Sequence, residues 1–242
     1  MSYTFNEIEK KIYPKTFLKD VHVRFDFDRA NVDINKVVKF FNTRFNLSID
    51  ETQMFKELFV NSDDELINFG FTVEHVEVTL RHPAYKSFDF ALKWLPWMKD
   101  YMQTLNINTV NKVYISKYNE LGFTLQDNSI GVEVIMGEVF SKELLEKMNA
   151  EKKDFSSMTR WEMFDSVRGD DEWNSIFSYE YGFSRRANEL TKGCLTLKTI
   201  MESNDVSIEL NKLDDVSIKF NDILDRGFHW CVSKSIIERM EV

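Results

Sequence analysis

The segment "DVHVRFDFD" at 20–28 alternates without a break: Val21, Val23, Phe25 and Phe27 fall on one side, His22, Arg24, Asp26 and Asp28 on the other. Period-two alternation of this length predicts a strand with one buried face. The period then changes. In "DINKVVKFFNTRF" (33–45), Val37, Val38, Phe41 and Phe45 form a helical stripe, and Asp33 stands at the N-cap position. A weaker pattern in "DETQMFKELF" predicts a second helix over 50–59. The β-rich run 68–82 stops at Pro83, and 87–105 reads as a helix capped by Ser87. Pro96 lies inside it and removes a backbone donor, so a kink is expected there. Residues 109–125 return to strand.

A short helix is expected at 141–149, followed by three strand-like runs, "RWEMFDSVR", "EWNSIFSYEYGFS" and "GCLTLKTIMES". In the middle run Trp173, Ser175, Phe177, Tyr179, Tyr181 and Phe183 share a face. Turn-rich segments at 168–172 and 185–193 make an antiparallel meander the natural arrangement. A helix over 214–240 closes the chain, with Val216, Phe220, Ile223, Leu224, Gly227 and Cys231 on its buried stripe. Gly227 within such a stripe predicts close approach of a neighbouring element.

Strands followed by a long aromatic helix thus occur twice, with "WLPWMKDYM" in the first half and "FHWCVSKS" in the second. The expected class is α+β: an antiparallel sheet in two duplicated halves, each with one aromatic-rich helix packed on one face. No Pro/Gly/Ser linker interrupts the chain. It reads as one domain, 1–242, with pseudo-repeat halves 13–125 and 158–242 sharing a core.

Composition narrows the function. The chain has 242 residues, 43% of them hydrophobic, and a net charge of −9 with no long run of like charges. An acidic chain with no basic arm is a poor partner for phosphate backbones, so nucleic acid is not expected. No apolar leader opens the sequence and no stretch reaches membrane-spanning length. A cytoplasmic protein with Cys194 and Cys231 both reduced is expected.

The candidate chemistry is sparse. His229 and Cys231 lie two apart, and on a helix such residues diverge by about 200°. They cannot converge on one atom, and Asp225 is left as the i−4 neighbour of His229. "HVE" at 75–77 has the His-x-Glu half of a zinc deaminase without its Cys-x-x-Cys partner. The two "DDE" tripeptides, at 63–65 and 170–172, fall in predicted turns. There is no glycine-rich phosphate loop and no nucleophile elbow. No catalytic residue, metal or cofactor is therefore assigned. The ligand-binding candidates are Tyr181, Arg185 and Arg186, with His229, as the mouth of an anion pocket between sheet and helices. Trp94 and Trp97 are candidates for contact with a partner or a second copy.

Four segments, "YPKTFLKDVHVRF" (13–25), "YKSFDFALKWL" (85–95), "NKVYISKYNEL" (111–121) and "FNDILDRGFHWCVSKSIIERM" (220–240), resemble a sporadically distributed family of uncharacterised prokaryotic proteins of about this length. The sequence departs from the family in having Lys112 and Lys117 where arginines are usual, and "LTLKTIMES" without the usual acids. The resemblance implies a single domain and no reaction, and its patchy distribution implies mobile or defence-linked loci. The expected function is a non-enzymatic binding or regulatory module acting through a protein partner or homodimer. The alternatives are a small-ligand sensor or enzyme, and a phage or structural assembly component.

Overall fold

The computed structural model describes residues 3, 5, 7–8, 16–49, 55–83, 87–125, 131–148, 158–204 and 206–241. Its order is β1 (Leu18–Asp26), α1 (Ile34–Phe45), β2 (Glu57–Asn61), β3 (Ile67–Thr72), β4 (His75–Arg81), α2 (Phe88–Leu92), α3 (Leu95–Thr104), β5 (Thr109–Val110) and β6 (Lys112–Thr124). Then follow α4 (Val132–Val139), α5 (Lys142–Met148), β7 (Arg160–Arg168), β8 (Ile176–Arg186), β9 (Glu189–Glu202), β10 (Ile208–Glu209), a 3-10 turn at Leu210–Lys212, α6 (Leu213–Cys231) and α7 (Lys234–Glu241). Eight strands form one sheet in the order β2-β3-β4-β1-β6-β9-β8-β7, and β5 pairs with β10 outside it. Each pairing in the large sheet is antiparallel.

This strand order is symmetric about the β1–β6 pair. On one side the chain runs β1, α1, β2, β3, β4, α2/α3; on the other it runs β6, α4/α5, β7, β8, β9, α6. The halves expected from the sequence put β6 in the first unit, whereas the strand order makes it the opening strand of the second.

The α+β class with an antiparallel sheet and two long aromatic-rich helical segments, 88–104 and 210–231, is observed. The register puts the apolar sides of all the central strands on one face. Phe71 faces Val76, which faces Phe25, which faces Val113. Ile115 faces Met201, and Met201 faces Phe177. All of these side chains are buried. Over them lie α1 and α3, whose Phe41 and Tyr101 rings sit 5.1 and 4.9 Å from Phe71, and α6. The predicted stripe of α6 is buried throughout. A Cβ on Gly227 would come within 2.3 Å of the Phe177 ring, so the glycine is what allows α6 to lie this close to β8.

Three local expectations change. Helix 50–59 is not formed over its described part: Glu57–Asn61 is an edge strand with Leu58 and Val60 on the core side, paired to β3. Pairing with a strand ten residues away overrides the local helical spacing, and residues 50–54 lie outside the described set. The helix at 87–105 is two helices. Pro96 sits in the first turn of α3, where its missing N–H is no loss, so it starts a helix rather than kinking one. Ser87 stands at the N-cap of α2 without a side-chain hydrogen bond. The closing helix breaks at Val232, which turns extended and forms a β-bridge with Phe140, and α7 resumes after it. Helix α4 had no counterpart in the sequence reading.

Candidate functional site

The ligand-binding candidates do not converge on a single mouth. Tyr181 is fully buried on the core face of β8, its hydroxyl 2.9 Å from Met163 Sδ and its ring against Phe140 and Trp161. Arg185 donates from Nε to the Met158 carbonyl (2.6 Å) and from Nη1 to the Leu190 carbonyl (3.0 Å), and lies over the Phe183 ring. Its fork holds the end of the β8–β9 hairpin together. Arg186 is exposed beyond a register shift at Arg185/Arg186.

His229 reaches a cleft. It is buried in α6 beside Phe228, and it lines a recess of about 740 Å³ at the two helix junctions, α4–α5 and α6–α7. Mutual backbone bonds form its rear wall: Ser141 N–H donates to the Cys231 carbonyl and Ser233 N–H to the Val139 carbonyl. Asp225, the sequence neighbour of His229, accepts from Lys117 Nζ on β6 and from Asn221 Nδ2. Lys117 is an ammonium in the core, its side chain 8% exposed, and this carboxylate is its counter-charge. Thr199 Oγ1, opposite Lys117 on β9, and Ser217 Oγ and Asn221 Oδ1 on α6 are buried with no hydrogen-bond partner among the described residues.

Next to the cleft, Lys147, Asp165 and Tyr179 close a triangle. Lys147 Nζ is 3.1 Å from Asp165 Oδ2 and 3.0 Å from the Tyr179 hydroxyl, which donates to Asp165 at 2.8 Å. The ammonium also lies over the Trp230 ring, 5.4 Å from its centroid. Burial pushes the Asp165 carboxyl up, but the hydrogen bonds from Tyr179 and Lys147 outweigh it and hold the group below the usual carboxylate range. Burial, then the bond to Asp165, raises the Tyr179 phenol. A phenol raised in this way stays protonated and is no general base; the triangle ties α5 to the sheet. The thiols are equally poor nucleophiles. Burial raises Cys231, and burial followed by Glu120 pushes Cys194 up to about 12.

Trp94 and Trp97 are half-buried rather than displayed. They pack edge to face on each other (5.1 Å), Trp94 on Phe69 (5.2 Å) and Trp97 on Phe45 (5.1 Å), with the Arg44 guanidinium over Trp97. The "DDE" acids serve turns, as expected. Asp64 accepts from Leu66 N–H, and Asp171 from the N–H groups of Trp173 and Ser175. Glu77 of "HVE" accepts from His22 across the β1–β4 pair at 3.1 Å. Among the described residues no group of three or more His, Cys, Asp or Glu is arranged to hold a metal ion.

The feature missed in the sequence is the other side of the sheet. Because the aromatic helices lie over the core face, the polar side chains of β1, His22, Arg24 and Asp26, open onto a continuous second face. The same side carries Tyr114 and Tyr118 of β6 and Lys198 and Ile200 of β9. Its outermost strands bear the two most exposed phenylalanines among the described residues, Phe59 (61%) on β2 and Phe164 (60%) on β7. The register puts both on this face, Phe59 opposite Gly70 and Phe164 opposite Glu180. No single strand pattern could announce this, since each strand shows only its own alternation.

No helix among the described residues is long and apolar enough to cross a membrane. No family profile matches the sequence, and no curated protein matches it. A solved structure described as "KH domains" aligns with 90% of this chain at 10% identity and a TM-score of 0.17. The chain spans 63% of that structure's length. A likeness at that level carries neither fold nor function, so function is argued from this chain's own geometry.

Proposed function

We propose that the protein is a non-enzymatic binding module whose working surface is the face of the sheet that no helix among the described residues covers, and that the partner it takes there is a second copy of itself. The observation that carries this reading is the pair Phe59 and Phe164, exposed on one face at its opposite ends. Eight strands about 4.8 Å apart span about 34 Å, and seven residues of strand about 24 Å, so the face offers about 800 Å². That is one partner's share of a standard protein interface.

The charge layout favours self-association in one orientation. On the β1–β4 half of the face, Asp20, Asp26, Glu57 and Glu77 outnumber Arg24 and Arg81. On the other half, Lys112, Lys192, Lys198, Arg160 and Arg168 outnumber Glu120, Glu162, Glu180 and Glu202. A twofold axis parallel to the strands lays the acidic half of one copy on the basic half of the other. Across the register Phe59 lines up through Gly70, Glu77, Arg24, Tyr114, Glu202 and Ile176 with Arg168, so this axis sets Phe59 at the level of the partner's Arg168, about four residues along β7 from the partner's Phe164. Burying the exposed part of four such rings is worth roughly 1–2 kcal/mol each, against about 4–15 kcal/mol for association. The rings by themselves do no more than offset that cost, so the net affinity must come from the rest of the face and its complementary charges, and a weak dimer is expected. The four segments of resemblance support the further reading that this is a cytoplasmic member of the uncharacterised prokaryotic family, serving a mobile or defence-linked locus.

Sedimentation velocity from about 1 to 100 µM tests the proposal. The wild type should pass from monomer to dimer, and Phe59→Asp/Phe164→Asp should remain monomeric with an unchanged far-UV spectrum. A wild type that stays monomeric throughout, or a double variant that still dimerises, overturns it. Large particles would favour the assembly-component reading instead.

A further inference from the structure

We propose that the cleft at the α4–α5 and α6–α7 junctions is a binding site for a small amphipathic carboxylate, a single apolar chain or ring system ending in one carboxyl group. This site is separate from the open sheet face and does not depend on it. The recess of about 740 Å³ lies within the range of small-molecule pockets, about 300–1,000 Å³. At about 30 Å³ per water it has room for roughly 25 waters, or one drug-sized ligand.

Its lining divides by chemistry. Phe140, Leu145, Trp230, Val232 and Ile237 give it apolar walls, contributed by three helices, α5, α6 and α7, and by the bridge pair Phe140 and Val232. Such walls favour a hydrocarbon body, because burying both surfaces removes apolar area from water. The polar groups sit apart from them, at the starts of α5 and α7: Ser141 with Lys142, and Ser233 with Lys234.

The charge of the lining selects the headgroup. Two lysines and one glutamate, Glu143, line the cleft, a local positive excess in a chain whose net charge is −9. Lys142 has an exposed i,i+4 partner in Glu146 at 3.8 Å, a pairing too weak to hold it away from a ligand. Lys234 has no ion pair among the described residues and is exposed at the rim. An ammonium on a mobile stem recognises a carboxylate as a point charge. An amphiphile with its tail against Trp230 and Phe140 would present its carboxylate to Lys234.

The test is a titration with dodecanoate, with dodecanol and dodecyltrimethylammonium as uncharged and cationic controls, read by tryptophan fluorescence and by thermal shift. Saturable quenching by dodecanoate is expected below about 1 mM, and it should be largely lost in Trp230→Phe, which leaves the other four tryptophans in place. Lys234→Gln, a rim substitution that leaves the core untouched, should weaken dodecanoate about tenfold, the change that 1.4 kcal/mol represents, and leave dodecanol unaffected. The thermal shift covers the case in which Trp230→Phe folds poorly, since it is read on wild type and Lys234→Gln alone. No saturable binding, equal affinity for dodecanol and dodecanoate, or indifference of dodecanoate to Lys234→Gln overturns the proposal.

Discussion

Gly227→Ala isolates the closest approach in the core. An added Cβ would sit 2.3 Å from both Cε2 and Cζ of Phe177, where carbon pairs come to rest at about 3.5–4.0 Å. The gap must open by more than 1 Å. The ring that would have to move is fully buried and wedged between Phe5, at 4.7 Å, and Tyr179, at 6.0 Å between centroids. Overpacking of this kind costs about 1–3 kcal/mol, and a rigid ring on both sides puts it at the upper end. Against it stands the helix propensity of alanine over glycine, about 1 kcal/mol. The net expectation is a loss of about 2 kcal/mol, or a fall in Tm of roughly 4–8 °C for a chain of this size. Thermal and urea denaturation followed by circular dichroism measure it. Phe177→Leu in the same background should be less damaging than alone, with a coupling of about 1 kcal/mol or more, because it vacates the space the methyl needs. If Gly227→Ala is neutral or stabilising, only the propensity term operates, and α6 does not lie on β8 as described.

Three further outcomes follow from the polar groups. Lys117→Met should destabilise by about 1–3 kcal/mol, because it removes a charged hydrogen-bond donor from the partly exposed Asp225 carboxylate; adding Asp225→Asn should restore much of the loss, as chemical denaturation would show. Thr199→Val keeps the shape and removes a buried hydroxyl that has no partner among the described residues, so a gain of about 1 kcal/mol is expected, and a loss would mean that the hydroxyl is bonded. Glu77 is held below the usual carboxylate range, first by the hydrogen bond from His22. A carboxyl lowered on folding adds stability above its unfolded value and loses it as pH falls through the folded one. The Tm difference between wild type and Glu77→Gln should therefore shrink between about pH 5 and 3; a difference independent of pH would contradict the pairing.

Much of the fold was legible because it is written in local periodicity. Strand β1, helix α1 with its Asp33 cap, the aromatic face of β8 and the buried stripe of α6 each need only their own residues. Even Gly227 could be singled out, since a glycine inside an apolar helical stripe has few other reasons to be there. The failures share one cause. Glu57–Asn61 became a strand through its pairing with β3, and Val232 left the helix for a bridge to Phe140. Such contacts join residues distant in sequence and leave no periodic mark.

The candidate sites follow the same division. Residue types alone grouped Tyr181, Arg185 and Arg186, yet Tyr181 lies under Phe140 and Arg185 binds backbone carbonyls of its own hairpin region. The cleft at His229 exists only where four helix ends meet, and the open face only because the aromatic helices fall on one side of the sheet. By itself the sequence determined which side of each strand and helix would be buried, because the hydrophobic effect acts on each amphipathic element separately. Which elements would be neighbours, and so which exposed groups would share a surface, was decided only by tertiary packing, where side chains from distant segments compete for the same space.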